Sequence, residues 1–117
     1  MELTLLLCLL LKHALVDIGI QRLQGNLHKY NYTSKLAQQH YGAHGVGTFI
    51  VMLFFAGPIT AILAGVFDWV AHWHIDFAKS QTNMRFHLNS SHQAYWWLLS
   101  LDQILHYTTY YLITILF

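Results

Sequence analysis

The chain has 117 residues, of which 56% are hydrophobic, 15% aromatic and only 9% charged. Soluble domains carry about a quarter charged residues, so charge could not cover a water-facing surface here, and so apolar a chain would collapse rather than stay disordered. Six Lys+Arg against five Asp+Glu leave no strongly basic face for nucleic acid, and the single Cys8 excludes an internal disulfide framework. What remains is one integral membrane domain over residues 1–117.

A bilayer crossing takes roughly 20 residues of helix. The first apolar run, about 3–20, is interrupted by Lys12, His13 and Asp17. A cleaved leader is not expected, because Glu2 stands where a basic residue belongs and no small-x-small site follows. The second run, about 34–56, holds Gly42, Ala43, Gly45 and Gly47, whose small size lets helix backbones approach closely. Gly57-Pro58 ends it: Gly suits a helix C-terminus and Pro the first turn of the next helix. A third helix, 58–79, then forms a tight hairpin with the second. After a polar connection, Ser80–Ser91, the run Ser90-Ser91-His92-Gln93 fits a capping box and opens a fourth helix over 91–117. The expected fold is all-α, a four-helix transmembrane bundle.

Arg22, Lys29, Lys35, Lys79 and Arg85 all fall in or beside the two longer connections, Gln21–Thr33 and Ser80–Ser91. The opposite side holds only Met1-Glu2, the Gly57-Pro58 turn and the C-terminus. The positive-inside rule therefore puts both connections in the cytoplasm and both termini outside, as for a bacterial inner-membrane protein. Tyr95, Trp96 and Trp97 would form an interfacial belt. The sequons at Asn31 and Asn89 then lie on the cytoplasmic side and carry no weight.

The polar residues inside the spans are His13 and Asp17; His40 and His44; Asp68, His72 and Asp76; and Asp102 and His106. Each neighbouring pair is spaced by four, so each helix turns its pair to one face. At 1.5 Å per residue from the outer ends, His13, Asp68 and His106 lie at roughly 15–16 Å. Asp17, His44, His72 and Asp102 fall at roughly 20–22 Å, and His40 and Asp76 at about 26–27 Å. Three polar layers would stack from mid-bilayer to the cytoplasmic edge.

Ionisable groups at such depth face a bundle interior, paired or bound to something. Asp–His hydrogen bonds gluing the helices together would satisfy one pair; for the whole set we read metal. Imidazole and carboxylate are ligands of zinc and non-haem iron, and helix bundles hold dinuclear sites this way. The expected ligands are His13, Asp17, His44, Asp68, His72, Asp76, Asp102 and His106, with His40 as an outer partner. They would hold one or two divalent transition-metal ions, zinc first and iron or manganese after it. His28, His87 and His92 are read as solvated, His74 as pointing away from His72, and Trp69 and Trp73 as lipid-facing packing.

The stretches His13-Ala-Leu-Val-Asp17-Ile-Gly-Ile-Gln21, Lys29, His40 with His44, Asp68-Trp-Val-Ala-His72-Trp-His-Ile-Asp76-Phe-Ala-Lys79 and Asp102-Gln103-Ile-Leu-His106 carry a resemblance. Together they are similar to a family of small bacterial and phage membrane proteins catalogued as domain of unknown function 3307. That family implies no activity, and Gln24–Thr33 is less like it. A looser similarity, through His72-Trp-His-Ile-Asp76, is to inner-membrane metal-dependent hydrolases, an analogy over one helix.

The expected function is metal-dependent hydrolysis of a lipid or lipid-linked phosphate at the cytoplasmic leaflet. Asp76 and Asp17 would serve as catalytic carboxylates, and Arg22, Lys29, Lys79 and Arg85 would hold the headgroup. Topology signalling alone would also account for those cations. Membrane lipid is the expected partner, nucleic acid is not, and self-association into a homo-oligomer stays open. The alternatives are an ion- or proton-conducting protein and a purely structural bundle.

Overall fold

In the computed structural model, which describes residues 1–117, all regular structure is helical. Helix α1 (Glu2–Ala14) runs into a π-helical turn (Leu15–Ile20) and then α2 (Gln21–Gln24), one rod of 23 residues. The rod ends at Gly25, whose φ of 71° costs little without a Cβ. An ordered connection leads to Ser34, which caps α3 (Lys35–Met52): its Oγ accepts from the Ala37 amide at 3.3 Å and donates to the Leu27 carbonyl at 2.6 Å.

Helix α3 stops at Met52 instead of continuing to Ala56. Proline disfavours helical backbone at the residue before it, and Gly57 is extended at ψ 163°, so residues 53–56 turn ahead of it. Gly57 thus caps α4 (Pro58–Arg85) from its N-terminal side and does not close α3. The α3–α4 hairpin itself forms as expected. Helix α4 runs through Ser80–Arg85, where a connection was expected. That stretch holds no Gly or Pro, and its polar side chains find partners: Thr82 Oγ1 donates to the Ala78 carbonyl and Gln81 to that of Tyr30.

The capping box ahead of α5 (Gln93–Leu116) does not form. His92 is the N-cap without a side-chain bond, because Asn89 takes the Ser91 amide at 2.9 Å and the Ser91 hydroxyl. The Asn turn over residues 89–91 moves the helix start to Gln93, past the Ser90 that would have capped it.

Glycine sets the closest approaches. A Cβ on Gly45 would sit 2.8 Å from the Gly65 carbonyl oxygen, and one on Gly65 equally close to that of Gly45. Gly47 leaves room for the Lys12 methylenes, 2.8 Å from where its Cβ would be. Gly42 has open space and plays no such part.

The molecule is 44 Å long and its polarity is inverted. Of 25 buried residues, twelve are polar or charged and eleven hydrophobic. The apolar cluster Leu5, Leu9, Met52, Ala61, Ala64, Tyr110 and Ile113 fills the end nearest the α3–α4 turn. The polar group lies beyond it, toward the two longer connections. Leu3, Leu7, Leu11, Leu15, Ile50, Ile62, Leu101 and Ile115, among others, point outward. By length and apolarity only the rod Glu2–Gln24, with mean hydropathy 2.0, suffices to cross a membrane. The polar pairs inside α3, α4 and α5 dilute their hydropathy.

Candidate metal centre

The spacing of four brings every His/Asp pair inward, and the helices meet in a column of buried side chains. Lowest, next to the apolar cluster, Lys12 donates to Asp68 Oδ2 at 2.7 Å and to the Tyr110 hydroxyl at 3.3 Å. Thr48 donates to the same Asp68 oxygen at 2.6 Å. The Lys12 ammonium also lies 3.4 Å from His44 Nδ1 and 4.5 Å above the Tyr110 ring. An isolated ammonium here would be very costly; a carboxylate, a hydroxyl and a ring face offset that cost.

One level up, Asp17 stands on the π-turn, a helix irregularity frequent at functional sites. Four imidazoles surround it. His44 Nε2 lies 2.9 Å from Oδ1, His40 Nε2 3.2 Å and His72 Nε2 3.8 Å from the same oxygen, and His13 Nε2 3.2 Å from Oδ2. Only the His44 contact is aligned as a hydrogen bond. Nε2 of His13, and both nitrogens of His40 and of His72, are buried without a partner. His13 is held from behind, its Nδ1 2.8 Å from the Tyr110 hydroxyl.

Highest, Asp76 accepts from Lys29 at 2.6 Å and lies 3.0 Å from His106 Nε2, 3.5 Å from His72 and 3.9 Å from His40. Asp102 pairs with Lys79 at 3.1 Å and accepts from Gln103 at 3.0 Å, with His106 Nε2 at 3.5 Å. The rings of His44, His72 and His106 stack along the column, with centroids 3.6 and 4.0 Å apart.

Three sets of donor atoms lie within 4.8 Å of one another: His13, Asp17, His44 and His72; His40, His72 and Asp76; Asp76, Asp102 and His106. His40 is therefore as central as the others. Asp68 stands outside all three sets, held by Lys12 and Thr48. The expected layers blur, since His13 reaches up to Asp17 and His106 to Asp76. Of the headgroup cations, Lys29 and Lys79 are turned inward onto aspartates. Arg22 and Arg85 are exposed, Arg85 over the Phe86 ring at 5.9 Å. His28, His87 and His92 are exposed as expected, and His74 points outward to Tyr32 at 3.0 Å.

Sequence reasoning missed Lys12, Thr48 and Tyr110. A lysine amid an apolar run demands a counter-charge at its own depth, and Tyr110 is four residues beyond His106; both were readable signals. The three lysines also change the charge balance. Lys12, Lys29 and Lys79 compensate Asp68, Asp76 and Asp102, so two divalent ions are not needed to neutralise four carboxylates. Asp17 alone has imidazoles and no ammonium.

Over residues 5–117 the chain matches the family described as "Protein of unknown function (DUF3307)", and it belongs to that family. No curated protein and no solved structure matches it.

Proposed function

We propose that this DUF3307 protein is an integral membrane protein that holds one divalent metal ion on Asp17 and uses it hydrolytically. Membrane embedding is supported by the inverted polarity: apolar side chains cover the outside while Lys, His and Asp fill the interior. The basic residues cluster at the end carrying the two longer connections, which favours that end as cytoplasmic.

The observation that carries the metal reading is the set of partnerless nitrogens around Asp17. Tetrahedral bonds of about 2.0–2.1 Å put neighbouring ligand atoms roughly 3.3 Å apart. The His13 and His40 Nε2 atoms lie 3.2 Å from Asp17 oxygens and that of His72 3.8 Å, without hydrogen-bond alignment. Asp17, His13 and His72 belong to one set of donor atoms within 4.8 Å of one another and would hold one zinc-like ion with a position left for water, and Tyr110 behind His13 is the second partner a ligating imidazole needs. His44 differs. Its Nδ1 faces the Lys12 ammonium, which can only donate, so its proton sits on Nε2 and points at Asp17. His44 therefore orients the carboxylate.

A bound divalent cation would lower the pKa of a water and polarise a phosphoryl oxygen. Asp76 lies beside His72, on the basic side, where it can take the proton, and Lys29 with His106 fixes its orientation. A polar column closed at one end by the apolar cluster suits a lipid or lipid-linked phosphate. It disfavours conduction, because the apolar cluster around Leu9 and Met52 fills the other end. A purely structural bundle is the second reading, favoured by the three Lys–Asp pairs.

Elemental analysis of detergent-purified protein separates the two. One ion per chain is expected, lost in Asp17→Asn and His72→Ala. Metal-free protein whose stability ignores added zinc, manganese and iron would leave the structural bundle.

A further inference from the structure

We propose that the cleft between the Gly25–Ser34 connection and the last turns of α4 binds a phosphate-type anion, and that Lys29 shares its ammonium between this anion and Asp76. The cleft measures about 470 Å³, and its polar lining includes Gln21, Asn26, His28, Lys29, Ser80 and Asn83. No carboxylate lines it: four of the five acidic residues are in the buried column, and the fifth is Glu2 near the N-terminus. Its side chains offer an ammonium, three carboxamides, an imidazole and the hydroxyls of Ser80 and Tyr30. That is a donor set for an anion with several oxygens and a poor one for a cation.

Two further observations point to a ligand. Asn83 Oδ1 is buried without a hydrogen-bond partner. The two ends of a carboxamide exchange by a half-turn, so this group can present N–H to an incoming oxygen. Lys29 is the one cation of the cleft, and it also belongs to the column. Its Nζ lies 3.2 Å from Gln21 Oε1 and 2.6 Å from Asp76 Oδ2, while its side chain keeps 16% exposure. An anion in the cleft would draw the ammonium outward and loosen its hold on Asp76.

The catalytic meaning rests on the hydrolase reading; the binding does not require metal. The test therefore uses chelator-stripped protein in neutral detergent, titrated calorimetrically with inorganic phosphate and with dihexanoyl phosphatidic acid. We expect saturable binding of at least one at one site per chain. Tighter binding of the lipid would identify a headgroup site, and tighter binding of phosphate a site for the free ion. Asn83→Leu should weaken binding several-fold and Lys29→Gln about tenfold or more, since a charge-assisted bond is lost. If Lys29→Gln fails to fold, Asn83→Leu and Ser80→Ala carry the test. Saturable binding of neither anion by the wild type would overturn the proposal, as would unchanged affinity in the variants that fold. Failure of the ion site reads out separately, as metal-free wild-type protein.

Discussion

Replacing Lys12 by Met removes one charge from the lowest level of the column and preserves most of the side-chain volume beside Gly47. Lys12 is 7% exposed and Asp68 1%, with 2.7 Å between Nζ and Oδ2. After Lys12→Met, the Asp68 carboxylate keeps only the Thr48 hydroxyl, and Tyr110 loses a donor. Stranding one partner of a buried ion pair costs about 3–5 kcal/mol. Asp68→Leu should cost a similar amount by stranding the ammonium. The double variant buries neither charge and should return to within about 1–2 kcal/mol of wild type, because apolar replacement of a whole buried pair is often neutral. The coupling energy is then several kcal/mol, far above the few tenths expected of independent sites. Unfolding in mixed micelles by dodecyl sulfate, followed by tryptophan fluorescence, measures all four proteins. Single-variant losses that simply add in the double variant would refute the argument.

Gly45→Ala should destabilise by about 1–3 kcal/mol, since its Cβ meets the Gly65 carbonyl at 2.8 Å and Trp69 Cβ at 3.0 Å. Gly42→Ala, with nothing within 4 Å, should be neutral or stabilise by up to about 1 kcal/mol; both are read in the same unfolding assay. Free zinc at a hundred times its Kd should stabilise wild type by about 2.7 kcal/mol and leave Asp17→Asn unmoved; equal shifts would place the ion elsewhere. In a Cys8→Ala background, Ser90→Cys should resist an impermeant maleimide in intact cells and react after permeabilisation. Ready labelling of intact cells would invert the proposed orientation.

The spacing of His13 with Asp17, His40 with His44, and Asp102 with His106 was enough to say which helix faces turn inward, because one α-helical turn returns a side chain to the same face. Gly57-Pro58 likewise marked the hairpin, since proline acts on the backbone locally. Partner choice across 56 residues was not legible. Asp68 shares a face with His72, yet it meets α1 at Lys12, where the methylenes pass over Gly47. Lys29 and Lys79 read as surface cations because sequence distance from the spans says nothing of how far a long side chain reaches back. The α5 cap differs because Asn89 gathers the Ser91 amide and hydroxyl into a turn ahead of the helix, and only geometry decides between that turn and a Ser cap.

The π-turn at Leu15–Ile20 makes the first rod an object with two phases. Each residue of an α-helix advances about 100° around the axis, and the wider turn absorbs one residue more, so the sequence spacing of the upstream half is offset by one against the downstream half. Lys12 and His13 belong to one phase, Gln21 to the other, and Asp17 sits on the joint. Inserting one residue there, after Ile18, would exceed what the wide turn absorbs and swing the upstream half about 100° against the rest. The ammonium would leave Asp68 and an imidazole would leave Asp17 in the same rotation. Length, not composition, is what this segment constrains: Ile18→Leu should fold normally where an alanine inserted after Ile18 should not, a contrast that expression and micellar unfolding of the two variants would decide.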